Sequence, residues 1–103
     1  MHKLAERTIL SGLVELGCLK GDVEEMLEKR IGFIFMPHGL GHYIGLDVHD
    51  AGSMARPLEP NMVITVEPGI YIPGLGGVRH EDVALIRENG VKLLTQIPKP
   101  FEI

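Results

Sequence analysis

The sequence has too few cysteines for the disulfides of secreted domains and lacks the long apolar segments of membrane proteins. Its 103 residues include one cysteine and no tryptophan. A single cysteine cannot form an internal disulfide, so we expect a reducing, cytoplasmic location in which Cys18 is a buried structural thiol. No apolar run approaches the roughly 20 residues of a membrane-spanning helix, and no apolar signal segment opens the chain. We therefore expect no membrane association.

Positive charge is also scarce. The chain has ten Lys and Arg residues and fourteen Asp and Glu residues, which gives a net charge of −4 when histidine is neutral. The densest basic spot, Lys29 and Arg30, follows three glutamates and is typical of a mixed helix surface, so we expect no nucleic-acid partner. Hydrophobic residues make up 45% and charged residues 23% of the chain, which is typical of a packed globular protein. We expect one domain over residues 1–103.

Two helices are predicted at the start of the chain. Apolar residues recur at spacings of three and four over residues 1–17, where Gly17 is a plausible C-terminal stop. Asp22 is a favourable N-cap for a second helix, and Glu25 completes a capping-box pattern. This second helix is predicted to end near Arg30-Ile31-Gly32.

Glycine, proline and β-branched residues predict extended structure after residue 32. Short strands or extended loops are expected at 34–36 and 43–48, followed by a turn-rich connection over 50–61. Further strands are predicted at 62–67, 70–72, 78–86 and 91–95, with reversals at 73–77 and 88–90. The fold class is therefore α+β, with two N-terminal helices followed by an antiparallel sheet.

Three histidines fall within twelve residues of a glycine-rich segment. They are His38, His42 and His49. Histidine suits metal binding and proton transfer, because its ordinary pKa lies near neutrality. No glutamate follows His38, so the segment is not a His-Glu-x-x-His zinc motif. A glycine-rich loop with surface histidines remains the alternative.

Two carboxylates stand in unusual contexts. Glu67 ends an apolar strand and precedes a proline, which restricts its backbone to extended conformations. Glu81 shares a predicted strand face with Arg79, either as a surface ion pair or as a metal ligand oriented by the arginine. Taken alone, each glutamate could be solvent-exposed. Together with His42 they form a thiolate-free set that suits Mn²⁺, Co²⁺, Fe²⁺ or Zn²⁺.

Four segments resemble signature motifs of the Xaa-Pro dipeptidases (prolidases), in the expected order. This family belongs to the pita-bread metallopeptidases, with aminopeptidase P and methionine aminopeptidase. The resemblance implies the C-terminal half of a pita-bread fold, in which the antiparallel sheet is curved. The matching segments are Phe35–His42, Asp47–Asp50, Thr65–Tyr71 and Gly77–Asp82.

The resemblance implies a site for two divalent metal ions, with manganese expected ahead of cobalt or zinc. His42, Glu67 and Glu81 match metal ligands of the family. Glu67 is also expected to take part in proton transfer. Glu81 is expected to bridge both metals.

The resemblance also implies a reaction and a substrate. The family hydrolyses the peptide bond before the C-terminal proline of Xaa-Pro dipeptides with a metal-activated water. His38 and His49 match catalytic, substrate-side histidines that hold the scissile peptide and the proline, and Arg79 matches a supporting arginine of the substrate site. The full-length family is expected to form homodimers.

Some family features have no counterpart here. Two aspartate ligands and a histidine precede the matched motifs in the family, and nothing before His38 matches them. We therefore expect part of a catalytic domain that binds metal weakly and is inactive or nearly so alone. An aminopeptidase P-like enzyme and a non-catalytic pita-bread binding module are the alternatives.

Overall fold

The computed structural model describes residues 1–98. All three strand pairings in this part of the chain are antiparallel, which together with the N-terminal helices confirms the predicted α+β class. The strands form two sheets, one in the order β1-β4-β5 and one of β2-β3. The elements are α1 (His2–Glu15), α2 (Val23–Glu28), α3 (Gly32–Phe35), β1 (Val63–Val66), β2 (Gly69–Ile72), β3 (Gly76–Arg79), β4 (Asp82–Arg87) and β5 (Gly90–Leu93).

Within residues 1–98, no helix combines the length and the apolar character needed to cross a bilayer. The same residues divide into two compact units. The first comprises Met1–Leu40 and Pro68–Arg79, and the second comprises Gly41–Glu67 and residues 80–98.

Helix α1 begins and ends close to its predicted bounds. Gly17 adopts a left-handed φ of 74° and donates its amide to Val14, while the Cys18 amide bonds to Leu13. This is the Schellman arrangement, which satisfies the last carbonyls of a helix. The expectation of a buried Cys18 is wrong: its side chain is exposed, because the residue follows the capping turn and Leu19 packs against the core instead.

Helix α2 begins as predicted and ends close to its predicted end. Asp22 accepts the Glu25 amide at 2.9 Å, which confirms the cap. Arg30, the first residue of the predicted end, takes a left-handed φ of 57° that stops the helix. The short helix α3 follows directly, so the strand or extended loop expected at 34–36 is wrong. Burial of Met36 against α1 outweighs the β propensity of this segment.

The first unit has its core between α1 and the β2-β3 hairpin. Ile9, Leu13 and Met36 are buried, and Ile70 and Ile72 of β2 pack against them. The hairpin closes through a turn in which Gly74 has a φ of 80°, a conformation that glycine adopts without strain. The reversal predicted at 73–77 is therefore confirmed.

The second unit has its core on the β1-β4-β5 sheet. Ile64, Ala84 and Ile86 are buried together. Strands β4 and β5 are joined at the predicted turn, where Arg87 pairs with Gly90. The extended segment predicted at 43–48 is reduced to one bridge, between Tyr43 and Ile64.

The prediction of a single strand over 78–86 is wrong. Strand β3 ends at Arg79 and β4 begins at Asp82, and they pair with different partners, β2 and β1. The chain thus leaves one strand pairing after Arg79 and enters another at Asp82. Arg79 and Glu81 were predicted to share one face of a strand. The structure has no continuous strand that contains both residues.

The α2 cap can be tested by substitution. Asp22→Ala removes the acceptor of the Glu25 amide and should lower the free energy of unfolding by about 1 kcal/mol. Asp22→Ser keeps an acceptor and should cost much less. Urea unfolding followed by circular dichroism measures both changes, and equal losses would contradict the capping role.

Candidate metal centre

Three side chains from separate segments of the second unit converge on one point. His42 lies in the loop before the Tyr43 bridge, Glu67 follows β1, and Glu81 precedes β4. One ligand atom of each residue lies within 4.8 Å of the ligand atoms of the other two. The structure thus brings together the three residues for which the sequence predicts metal binding.

Strand register explains why the two glutamates meet. Val66 pairs with Asp82 at the end of the antiparallel β1-β4 ladder. The next residue on one strand is Glu67 and the preceding residue on the other is Glu81, so the ladder delivers both to the same edge. Like charges placed opposite each other across a ladder are destabilising. A divalent cation between them would turn this repulsion into attraction.

Backbone hydrogen bonds place His42 against the end of β1. The Thr65 amide donates to the His42 carbonyl at 2.8 Å, and the His42 amide donates to Thr65 Oγ1 at 2.9 Å. This close approach depends on Gly41, since a Cβ there would lie 1.9 Å from the Thr65 carbonyl oxygen. Only glycine therefore fits at position 41 without displacing the Thr65 backbone.

The His42 ring is held in one tautomer. Its Nδ1 lies 2.8 Å from the Tyr43 carbonyl oxygen, which can only accept, so Nδ1 carries a proton. In the neutral ring, Nε2 then presents its lone pair, 3.2 Å from Glu67 Oε1. A backbone carbonyl on the remote ring nitrogen is the usual arrangement of a metal-binding histidine.

Glu67 is held in a partly buried position. Its side chain is 13% exposed and that of His42 is 25% exposed. Thr65 Oγ1 donates to Glu67 Oε1 at 2.9 Å. Glu81, by contrast, is exposed. The centre thus has a sheltered side, formed by His42 and Glu67, and a solvent-facing side.

This donor set fits a divalent metal. Zinc-like ions hold nitrogen and oxygen at about 2.0–2.2 Å, so two ligands of one ion lie about 3.0–3.5 Å apart. The separation of 3.2 Å between His42 Nε2 and Glu67 Oε1 falls in that range. One imidazole and two carboxylates without a thiolate suit Mn²⁺, Co²⁺ or Zn²⁺ rather than soft ions.

His49 joins this group from the same unit. Its exposed ring meets the His42 ring edge-on, with centroids 4.2 Å apart. A second imidazole therefore stands beside the candidate ligands, where it can contact a molecule bound to them.

The other two predicted substrate residues belong to the first unit. His38 Nδ1 lies 2.8 Å from the Gly39 carbonyl and Nε2 lies 3.0 Å from the Tyr71 hydroxyl. Since the carbonyl can only accept, Nδ1 of the neutral ring donates and Nε2 accepts from Tyr71. Arg79 is exposed at the end of β3.

Two residues that contact the candidate site residues were not singled out by sequence. Thr65 contacts His42 and Glu67, and Tyr71 contacts His38. Strand alternation places Thr65 and Glu67 on one face, which is a signal for Thr65. The contact of Tyr71 has no comparable signal in spacing.

The chain matches a known protein family over most of its length. The pattern of metallopeptidase family M24 matches residues 1–88. The Xaa-Pro dipeptidase of Homo sapiens is 36% identical over an alignment of 145 residues, which covers 99% of this chain and 29% of the human protein. The chain thus spans less than a third of that relative's length.

Solved structures of aminopeptidase P share the fold. The Escherichia coli enzyme with the inhibitor Pro-Leu superimposes with a TM-score of 0.83 at 43% identity, over 88% of this chain and 24% of that one. Pseudomonas aeruginosa aminopeptidase PepP gives a TM-score of 0.84 at 41% identity, over 89% of this chain and 24% of that one. The predicted pita-bread resemblance is confirmed.

The close approach at Gly41 yields a test. Gly41→Ala places a Cβ against the Thr65 backbone and should lower the free energy of unfolding by about 1–3 kcal/mol. Gly12→Ala is the matched control, since a Cβ at Gly12 meets nothing within 4 Å and alanine favours a helix. Thermal unfolding of both variants measures the difference. Equal stability of the two would contradict the packing described for His42.

Proposed function

Since this chain belongs to metallopeptidase family M24, we propose that it is part of a metal-dependent peptidase that hydrolyses the peptide bond before proline. The convergence of His42, Glu67 and Glu81 within 4.8 Å is the main support. The human relative is named Xaa-Pro dipeptidase, and hydrolysis of Xaa-Pro dipeptides is the principal form of the proposal. The 103 residues would form part of a single catalytic domain.

The proposed metal ligands are His42, Glu67 and Glu81. Two divalent ions would occupy the complete site, manganese ahead of cobalt or zinc; a structure of the E. coli relative was determined with zinc substituted. When bound, such ions supply an activated water as a nucleophile near neutral pH. Two ions need more than three protein ligands, so the group described here would hold only part of the pair.

The proposed roles of the glutamates rest on their match to the family motifs. Glu81, which lies on the solvent-facing side of the centre, would be the bridging ligand. Glu67 is both ligand and proton carrier during hydrolysis. Its carboxylate is sheltered and held by the Thr65 hydroxyl, so it keeps one orientation while a proton is accepted and passed on.

The proposed substrate-side residues are His38, His49 and Arg79. The contact between the rings of His49 and His42 supports this role for His49. Hydrogen bonds with the Gly39 carbonyl and the Tyr71 hydroxyl hold the His38 ring in one orientation. For His38 and Arg79 the role rests on the match to family motifs.

A second candidate is an aminopeptidase P-like activity on longer Xaa-Pro peptides. E. coli aminopeptidase P is 43% identical over the 88% of this chain that superimposes on it, which supports this candidate. Both candidates share the metal group and differ in substrate length. A homodimer of the full-length protein and a cytoplasmic location are further parts of the proposal.

Metal binding is the first test. We expect weak Mn²⁺ binding by the 103-residue chain in isothermal titration calorimetry. His42→Ala and Glu67→Gln should each weaken it at least about tenfold, because each removes a ligand of a small set. Asp47→Asn, an exposed acid in the same unit outside the ligand group, is the control and should keep the wild-type affinity. Unchanged Mn²⁺ affinity in both ligand variants would contradict the proposed metal centre.

Activity is the second test. A chimera of E. coli aminopeptidase P in which this chain replaces its matching part supplies the rest of a catalytic domain. We expect it to cleave Gly-Pro or a longer Xaa-Pro peptide in the presence of Mn²⁺, with activity lost in Glu67→Gln. The preferred substrate length separates dipeptidase from aminopeptidase P. A folded, metal-binding chimera that cleaves neither would point to a non-catalytic module.

A further inference from the structure

Thr65 is an exception in an apolar strand core. It is 2% exposed and is the only buried polar residue among residues 1–98. Its strand neighbours Ile64 and Val66 are apolar, and valine has nearly the same shape without a polar group to desolvate. Burying a hydroxyl is unfavourable unless it gains hydrogen bonds in return. Packing alone therefore does not account for a threonine here.

The hydroxyl of Thr65 links two candidate ligands. It accepts the His42 amide at 2.9 Å, and it lies 2.9 Å from Glu67 Oε1 but 3.4 Å from the His42 carbonyl. A hydroxyl carries one proton, and 3.4 Å exceeds the usual O–H···O range, so the proton points to Glu67. One side chain thus holds the backbone of one ligand and the carboxylate of the other.

The hydrogen bond from Thr65 fixes the terminal side-chain torsion of Glu67, which the backbone does not determine. Pro68 restricts the Glu67 backbone, but the terminal torsion of a glutamate side chain is broad. The hydrogen bond from Thr65 selects one rotation of the carboxylate, with Oε1 facing His42 Nε2 at 3.2 Å. That is the spacing at which the two atoms can share one ion.

We infer that Thr65 is a positioning residue of the metal centre, which sets the metal affinity by orienting Glu67 and anchoring His42. The inference rests on the proposed metal-binding function. Partners that orient metal ligands typically change affinity by about 10- to 100-fold when removed. Loss of the Thr65 hydroxyl should therefore weaken metal binding by that factor without removing any ligand.

A purely structural role would give a different result. If the hydroxyl served only to satisfy the His42 amide, its loss would lower stability, and the folded protein would bind metal as before. The two roles are separated by measuring metal affinity and metal-site geometry in folded variants, rather than stability or activity alone.

The test compares three substitutions at one position. Thr65→Ser and Thr65→Ala both lack the methyl group and differ only in the hydroxyl, while Thr65→Val keeps the shape and loses the hydroxyl. Thr8→Val is the matched control, since the exposed Thr8 hydroxyl bonds to the Leu4 carbonyl of its own helix. Circular dichroism and urea unfolding establish the folded fraction of each variant.

Mn²⁺ affinity and the visible spectrum of bound Co²⁺ are the readouts. We expect Thr65→Ser and Thr8→Val to match the wild type within about threefold, and Thr65→Ala and Thr65→Val to lose about 10- to 100-fold in affinity. The Co²⁺ spectrum should change in the two hydroxyl-free variants and be preserved in Thr65→Ser. Restoration by serine is the sign of a positioning hydroxyl.

Two results would overturn the inference, and they are distinguishable. If the wild type binds Mn²⁺ and folded Thr65→Ala binds it as well as Thr65→Ser does, Thr65 has no positioning role and the proposed centre stands. If the folded wild-type chain binds neither Mn²⁺ nor Co²⁺, the proposed function fails and the inference fails with it.

Discussion

The candidate centre depends on two carboxylates held opposite each other at the end of one strand pair. The register that pairs Val66 with Asp82 places Glu67 and Glu81 together, at an electrostatic cost. The buried cluster that includes Ile64 and Ala84 maintains this register. Apolar burial therefore supplies the free energy that keeps like charges adjacent. A cation binding there would stabilise the folded state in return, because it binds only where the ladder has formed.

The imidazole is positioned by different means. His42 lies outside regular strands, and its placement comes from reciprocal bonds with Thr65 and from the absence of a side chain at Gly41. Backbone hydrogen bonds define position more sharply than the packing of an exposed side chain does. The His42 backbone and Glu67 Oε1 are thus both held through Thr65 of β1.

Sequence reasoning succeeded where the signal is local. The Asp22 cap, the Gly17 stop and both hairpin turns follow from side chains within a few residues of each feature. It failed where contacts with residues distant in sequence determine the local structure. One such case is α3, where Met36 is buried against α1. The other is the break before β4, where β3 and β4 pair with different strands. For the candidate site, the order of the motifs identified the metal-ligand candidates. The register of β1 against β4 then shows that Glu67 and Glu81 lie opposite each other.

The division of the chain into two units also separates two kinds of candidate residue. His42, Glu67, Glu81 and His49 all lie in the second unit, whereas His38 is fixed by Tyr71 in the first. The first unit has its own apolar core, so the geometry of His38 and the geometry of the ligand group are maintained by different buried clusters. A substitution in one core therefore perturbs first the residues of its own unit, and the metal-ligand geometry is sensitive above all to the β1-β4 ladder and the threonine within it.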